Sequence, residues 1–317
     1  MRAGAVSVGA AAAAIALSCG GPGGAGDETA APPAPAGVIV EQVIAGEVLG
    51  LPLQSPWGLA AGTDDNVYCV DRGNNRIIKF SRALQPIRDA GGAGSEAGLL
   101  SRPGYAAVDN QLNVWVADEG NQRISRFNSD LLFVDATEFY NADDPLQFGE
   151  PGGVAVSAHG ELWAGDRQRN RIAVFTNTGA FDRFVGDFGY AGGQVREPQG
   201  IRADGAGRYY VCDGGNGRVV VYDRYGTMVR TIAHDAWARP KAAAPAGGGL
   251  WVLDGAGRVY FCDARGGILF AAGPMLPGSD SPLREPSDLA VLADGRLLIA
   301  DTGNNRLLVC RVISDAG

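Results

Sequence analysis

The feature that most constrains this chain is a short motif that occurs six times. Its clearest copy runs from Leu297 to Val309 and reads LLIADTGNNRLLV. An apolar run ends in Asp301, a Gly-Asn-Asn turn follows, and Arg306 opens a second apolar run. Apolar runs that flank residues tolerant of positive φ predict a β-hairpin. The Asp and the Arg bracket the turn, so we expect their side chains to pair across it.

The motif returns at a nearly constant interval. The six aspartates are Asp71, Asp118, Asp166, Asp213, Asp254 and Asp301. An arginine closes every copy, but the copy at Asp254 is one residue shorter and has no Asn before Arg258. A second landmark keeps the same step, namely a proline before a small-residue apolar strand: Pro56, Pro103, Pro151, Pro198, Pro240 and Pro286. A fixed period in this range indicates a repeat architecture.

From about Pro56 onward, these repeats resemble the NHL repeat, which forms one blade of a β-propeller. The resemblance is carried by the proline, the Gly-apolar-Ala strand after it, and the apolar-aromatic run that ends in Asp-x-Gly-Asn-Asn-Arg. It implies an all-β fold, a six-bladed β-propeller of four-stranded blades. It does not imply an activity, because propellers carry many unrelated functions.

The two ends of the repeat region complement each other. The sixth repeat stops after its third strand, whereas residues 38–45 form an apolar strand with no repeat of their own. We therefore expect this N-terminal strand to complete the last blade and close the ring. The propeller is predicted to span residues 38–317.

The first residues have the composition of an export signal. Arg2 precedes an Ala-rich apolar run from Ala3 to Leu17, which predicts a signal peptide over residues 1–18. The sequence Ala-Leu-Ser-Cys that ends at Cys19 resembles a bacterial lipobox, so Cys19 is the expected lipidation site, with ordinary cleavage near Ser18 as the alternative. Residues 19–37 are rich in Gly, Pro and Ala and predict a tether. The expected location is the periplasm or the outer membrane, as a lipoprotein of the bacterial envelope.

Charge and cysteine content narrow the possible functions. The formal net charge of −8 argues against a nonspecific nucleic-acid binder. Four cysteines alternate with apolar neighbours on predicted strands and are interpreted as buried thiols: Cys69, Cys212, Cys262 and Cys310. The last two occupy equivalent positions in adjacent blades, which is too far apart for a disulfide. No Cys-x-x-Cys occurs, so a structural zinc site is not expected.

Aromatic residues stand at one fixed position, three residues before the Asp. They are Tyr68, Trp115, Trp163, Tyr210 and Trp251, and Leu298 takes this place in the last repeat. An aromatic stripe can form a platform for sugars. Equivalent positions in successive blades are better explained by packing between blades, which is our prediction.

Function is expected where the repeats differ. Arg202 stands four residues after its proline, where the other five repeats have Ala. Tyr105 and Asp288 are the outliers two residues after the proline. Three larger side chains follow the proline directly: Trp57, Gln199 and Lys241. In a closed ring these positions converge on one mouth of the central channel.

Two interpretations of these residues remain open. Arg202 and Asp288 form a structural ion pair across the ring, or Arg202 meets an anion or carboxylate ligand beside Trp57 and Tyr105. We prefer the ligand interpretation, because one ion pair does not explain why the residues directly after the proline also change. The loops at 89–102 and 273–285, and a third that carries Trp237, are expected to share that face.

Catalysis has little support in the sequence. The only histidines are His159 and His234, which cannot supply the histidine cluster of a zinc-dependent propeller lyase. We find no convincing set of carboxylates for a calcium-dependent lactonase, and no G-x-S-x-G motif occurs. The pair Asp143-Asp144 is interpreted as solvated surface rather than a site for a hard cation.

The sequence thus predicts a binding or scaffolding module with no catalytic residues, metal or cofactor. The alternative is a propeller enzyme of the metal-dependent lactonase or lyase type, with its site on the axis. The expected partner is a protein, or a small acidic or carbohydrate ligand, at the channel mouth. Nucleic acid is not expected, membrane contact is expected only through the lipid anchor, and the protein is expected to be a monomer.

Overall fold

The computed structural model describes residues 33–139 and 148–314, which form a six-bladed β-propeller. Each blade is a four-stranded antiparallel sheet. The innermost strands are β4 (Pro56–Ala61), β8 (Pro103–Val108), β12 (Pro151–Val156), β16 (Pro198–Ala203), β20 (Pro240–Ala246) and β24 (Asp288–Val291). Each contacts the innermost strand of the next blade, and β24 contacts β4. The ring is therefore closed around a central axis.

The remaining strands follow in order outward from the axis. The second strands are β5 (Val67–Asp71), β9 (Val114–Asp118), β13 (Leu162–Asp166), β17 (Tyr209–Asp213), β21 (Gly249–Asp254) and β25 (Leu297–Asp301). The third are β6 (Arg76–Phe80), β10 (Arg123–Phe127), β14 (Arg171–Phe175), β18 (Arg218–Tyr222), β22 (Val259–Cys262) and β26 (Arg306–Ser314). The outer strands are β7 (Pro86–Gly91), β11 (Phe133–Glu138), β15 (Phe181–Val185), β19 (Met228–Ala233), β23 (Ile268–Ala272) and, in the sixth blade, β1 (Pro35–Ala45).

The predicted closure by the N-terminal strand is confirmed. β1 pairs antiparallel with β26 from Pro35 opposite Ser314 to Ala45 opposite Arg306. The strand begins at Pro35 rather than at Val38, because β26 is long enough to offer partners to the residues before Val38. A short hairpin, β2 (Glu47–Val48) and β3 (Leu51–Pro52), then leads into the first blade.

The Asp-to-Arg motif forms a tight turn that contains a 3₁₀ segment in four blades: Arg72–Asn74, Glu119–Asn121, Gly214–Asn216 and Thr302–Asn304. Only the last residue of the turn takes positive φ, for example Asn305 at 52°. The glycine of the motif is needed for space instead. A Cβ on Gly303 would lie 2.7 Å from the carbonyl oxygen of Arg284. We call the side of the ring that carries these turns the turn face.

The Asp–Arg pairs form as predicted, and they also anchor loops. In five blades the arginine Nε donates to the aspartate Oδ2 over 2.7–3.2 Å. The other guanidinium nitrogens bind backbone carbonyls of the loop that enters the blade, as Arg123 binds those of Ser95, Glu96 and Leu99. In the shortened fifth copy, Asp254 accepts the backbone N–H of Arg258 instead. The motif therefore maintains the blades, and the entering loops lie on the turn face.

The predicted aromatic positions pack between blades. Trp163 of the third blade stacks on Tyr209 of the fourth, with ring centroids 3.7 Å apart and planes 12° from parallel. All the stripe residues are buried or nearly so, and each belongs to a core between sheets. Cys69, Cys212, Cys262 and Cys310 are buried free thiols, as predicted. Cys19 lies outside the described residues. Across the described ranges, no helix is long and apolar enough to cross a membrane.

Candidate functional site

The innermost strands deliver side chains to the axis because they are irregular where they begin. In the first five blades the proline pairs with the motif aspartate, as Pro56 does with Asp71, and the register then shifts before the strand resumes. The residue after the proline and the residue after the aspartate lie side by side, as Trp57 and Arg72 do in the first blade and Gln199 and Gly214 in the fourth. These positions form the mouth of the channel on the turn face.

Below the mouth, Arg202 and Asp288 form an ion pair across the ring. Arg202 Nη2 lies 2.6 Å from Asp288 Oδ2 and also donates to the carbonyl oxygen of Leu59 over 2.8 Å. The same carboxylate oxygen accepts the Leu59 N–H over 2.8 Å, and Oδ1 accepts the N–H of Leu289. Asp288 is fully buried and the Arg202 side chain is 18% exposed. This contact joins the fourth, sixth and first blades at the axis.

The electrostatics of this pair are dominated by burial. Desolvation raises the pKa of the Asp288 carboxyl, while the Arg202 guanidinium and the two amide donors act in the opposite direction. The structure therefore contains the contact that the structural interpretation of Arg202 required.

Tyr105 reaches from the second blade toward the fourth and lies near both Asp288 and Glu119. It takes the place of a glycine, and its ring edge lies 3.5 Å from where a Cβ on Gly200 would stand, two blades away. The side chain is fully buried, and its hydroxyl has no hydrogen-bond partner among the described residues. Burial raises the pKa of the Tyr105 phenol, and the nearby Asp288 carboxylate raises it further. The hydroxyl therefore remains a proton donor at neutral pH.

At the mouth, Trp57 begins a chain of charged contacts. The guanidinium of Arg72 lies 4.7 Å from the centre of the Trp57 ring, and Arg72 Nη2 lies 2.6 Å from Glu119 Oε2. Arg167 Nη1 lies 3.3 Å from the other oxygen of the same carboxylate. Glu119 is buried, and its two carboxylate oxygens form ion pairs with two different arginines. The indole N–H of Trp57 is buried without an acceptor in the part of the chain that the structure describes.

Lys241 adds a third cation on the far side of the mouth. Its Cε lies 3.6 Å from where a Cβ on Gly255 would stand. Burial lowers the pKa of the Lys241 ammonium, and the charges of Arg239 and Arg167 lower it further. Within residues 33–139 and 148–314, no hydrogen bond or ion pair of its amine is found. Gln199 is buried nearby, and its amide donates to the carbonyl oxygen of Glu197 over 3.1 Å.

We refer to Trp57, Arg72, Glu119, Arg167 and Lys241 as the mouth cluster. Sequence reasoning placed Trp57 and Lys241 there and missed the other three. The missed residues follow the motif aspartate directly, where the other blades have Gly214, Gly255 and Thr302. A comparison of the six copies at this position would have found them by the same criterion that selected Trp57.

The residues considered for catalysis are scattered. His159 lies in the turn between β12 and β13, on the side opposite the turn face, and His234 lies in an entering loop, where its Nδ1 accepts the Ala236 N–H. In the described ranges, no three His, Cys, Asp or Glu side chains come close enough to hold a metal ion together. The pair Asp143-Asp144 lies outside the described residues.

Comparison with known families agrees with the repeat pattern. The NHL repeat model matches residues 53–80, 196–222 and 283–310, which fall in the first, fourth and sixth blades. The chain is a six-bladed β-propeller that contains NHL repeats. No curated protein sequence matches it.

Solved structures similar to this NHL-repeat propeller include two enzymes and the nidogen/laminin complex. A gluconolactonase from Xanthomonas campestris aligns with a TM-score of 0.64 and 16% identity over 89% of this chain and 97% of its own. Virginiamycin B lyase from Staphylococcus aureus aligns with a TM-score of 0.60 and 16% identity, over 91% of this chain and 97% of its own. A chain of the nidogen/laminin complex aligns with a TM-score of 0.58 and 19% identity, over 76% of this chain and 86% of its own. At such identities the likeness shows the fold alone.

Proposed function

We propose that this NHL-repeat propeller is a binding module that holds an acidic ligand at the mouth of its turn face. The observation that carries the proposal is the charge of the mouth cluster. Arg72 and Arg167 share the carboxylate of Glu119, and Lys241 adds a cation whose charge interacts with that of Arg167, with Glu197 as an opposing charge. The chain as a whole is acidic, with a formal net charge of −8. Local positive charge against that background favours an anion.

The surroundings of the cluster favour a carboxylate attached to a flat or apolar group. Trp57 brings an indole ring and an N–H that has no acceptor in the described part of the chain, and guanidinium groups bind carboxylates through paired hydrogen bonds. Tyr105 and the Arg202–Asp288 pair occupy the axis below, so a ligand would enter from the turn face. Gln199 would contribute at the same level as Lys241.

A peptide or protein could supply this carboxylate as well as a small molecule could. The entering loops on the turn face expose apolar side chains at Leu49, Leu51, Phe188, Tyr190 and Met275. Each loop is bound to a motif arginine, as Tyr190 is through its carbonyl oxygen to Arg218. Fixed apolar side chains around a charged centre are suited to protein recognition.

We expect Lys241→Ala and Arg167→Ala each to weaken the binding of an acidic probe by about tenfold, the equivalent of one charge-assisted contact. Succinate titrated into the chain by calorimetry measures this, and succinamide serves as the uncharged probe. Arg265→Ala removes an exposed cation between β22 and β23, on the side opposite the turn face, and is the matched control. Equal affinity in all three variants would contradict the proposal.

A second experiment distinguishes a protein ligand from a small-molecule ligand as the source of the carboxylate. The chain from residue 33 onward is used as bait, and captured proteins and small molecules are identified by mass spectrometry. A protein captured by the parent and lost in both Lys241→Ala and Arg167→Ala identifies a macromolecular source. A small acid lost in the same pair identifies a metabolite.

For location, the proposal rests on the sequence of residues 1–32, which lie outside the described residues. We propose export to the bacterial envelope and attachment through a lipid on Cys19. Expression in a bacterium with labelled fatty acid should label the parent chain, and Cys19→Ala should remove the label because the thiol carries the first lipid. Equal labelling of both chains would remove Cys19 as the anchor.

A further inference from the structure

The sequence contains only two lysines, Lys79 and Lys241, against 25 arginines. Lys79 has a structural environment: it is 9% exposed, its Nζ donates to the carbonyl oxygen of Ser129 over 2.7 Å, and it lies 5.8 Å from the centre of the Tyr68 ring. Lys241 has no such partner in the described part of the chain and stands at the mouth of the channel. The two lysines therefore serve different purposes.

A positive charge alone does not explain a lysine at this position. Arg72 and Arg167 already supply positive charge to the same mouth. Of the 27 lysine and arginine residues in the sequence, 25 are arginines, so an arginine would be the usual choice for charge alone. A guanidinium stays protonated and is a poor nucleophile, whereas a lysine amine can lose its proton and attack a carbonyl. Burial and the neighbouring Arg239 and Arg167 lower the pKa of Lys241, which increases the neutral fraction of the amine. Glu197 and Cys212 act in the opposite direction.

We propose that Lys241 forms an imine with the carbonyl carbon of an oxo acid, a ligand that carries an aldehyde or ketone beside a carboxylate. The inference rests on the proposed function, because Arg167 would hold the carboxylate while the amine reacts. The Nζ lone pair forms the C–N bond, the carbonyl electron pair moves to oxygen, and one proton passes from nitrogen to that oxygen. The carbinolamine then loses its hydroxyl together with the second nitrogen proton as water, which leaves the C=N bond, so no oxidant or reductant is required.

Reductive trapping tests this directly. The full-length chain is incubated with glyoxylate and cyanoborohydride, which converts an imine to a stable secondary amine, and the modified lysines are quantified by mass spectrometry. Arg265→Lys places an exposed reference lysine in the same molecule. We expect Lys241 to be modified about tenfold faster than this reference, from one charge-assisted contact to the carboxylate. Succinate should compete, and the preference should fall with glycolaldehyde, which lacks the carboxylate.

Two variants keep this test separate from that of the proposed function. Lys241→Arg retains the charge and removes the nucleophile, so no adduct should form at the mouth while the reference lysine of Arg265→Lys is still trapped. Arg167→Ala retains the amine, so the preference for glyoxylate over glycolaldehyde should fall. Modification of Lys241 no faster than that of the reference lysine, with succinate still bound, would overturn the inference and leave the proposed function standing. If the parent chain showed neither faster trapping at Lys241 nor succinate binding, both the inference and the proposed function would be overturned.

Discussion

Removal of the chain through Ala45 is expected to abolish cooperative unfolding and to cause aggregation. This deletion removes β1, which pairs with β26 along its whole length. It also removes Val38 and Val40 from a core that contains Leu276, Leu283 and Leu289. Each valine contributes about 1.5–3 kcal/mol through burial. The exposed edge of β26 would be open to other chains, which is the usual route to aggregation of β proteins.

The matched control is a chain that begins at residue 33 and keeps β1 intact. Thermal unfolding followed by circular dichroism, with light scattering recorded in parallel, compares the two. We expect the control to melt cooperatively and the shorter chain to show no sharp transition. A shorter chain with the melting temperature of the control would show that β1 does not close the ring.

Arg202→Ala is expected to lower the free energy of unfolding by about 2–4 kcal/mol, because it leaves a buried carboxylate without its cation. Asp288 keeps the N–H groups of Leu59 and Leu289, which limits the loss. Urea denaturation measures the effect. Arg82→Ala is the control, since Arg82 is 70% exposed and pairs with Asp65 at the surface. We expect that change to cost less than about 1 kcal/mol.

The stability that Arg202→Ala loses should be larger at high pH than at low pH. Burial already raises the pKa of Asp288, and without Arg202 it should rise further above the value in the unfolded chain. The folded variant then binds a proton more readily than the unfolded one, so its deficit is largest above the folded pKa and shrinks as the pH falls through it. The double variant Arg202→Ala, Asp288→Asn should lose this dependence. Unchanged stability with lost succinate binding would instead assign Arg202 to the ligand site.

The fold could be predicted because the repeat determines it six times over. The spacing of the motif aspartates sets the blades, and the strand left over before the first repeat matches the strand missing from the last. The start of β1 was misplaced because Pro35 and Gly37 have low strand propensity. Their pairing depends on the length of β26, which local sequence does not reveal.

The site was predictable only in part. Comparing the repeats shows which positions diverge, but it does not show which side chains contact each other. Position relative to the proline selected Trp57, Lys241 and Tyr105; in the structure Trp57 lies beside Arg72, and Lys241 lies beside Gly255. The pairing of Arg72 and Arg167 through one buried carboxylate depends on the distance between neighbouring blades. Asp288 and Arg202 differ by two positions along their strands, and their contact follows from the reach of the arginine side chain.

The central claim is that an acidic ligand binds at the mouth cluster, and the indole N–H of Trp57 reports on it most directly. Five tryptophans give five indole signals in a nitrogen-correlated NMR spectrum, and Trp57→Phe assigns the relevant one. Titration with succinate is expected to shift the Trp57 signal saturably, and Lys241→Ala should weaken that titration while Arg265→Ala leaves it unchanged. A saturable shift at Trp237 or another tryptophan with none at Trp57, or no saturable shift at all, would contradict the account.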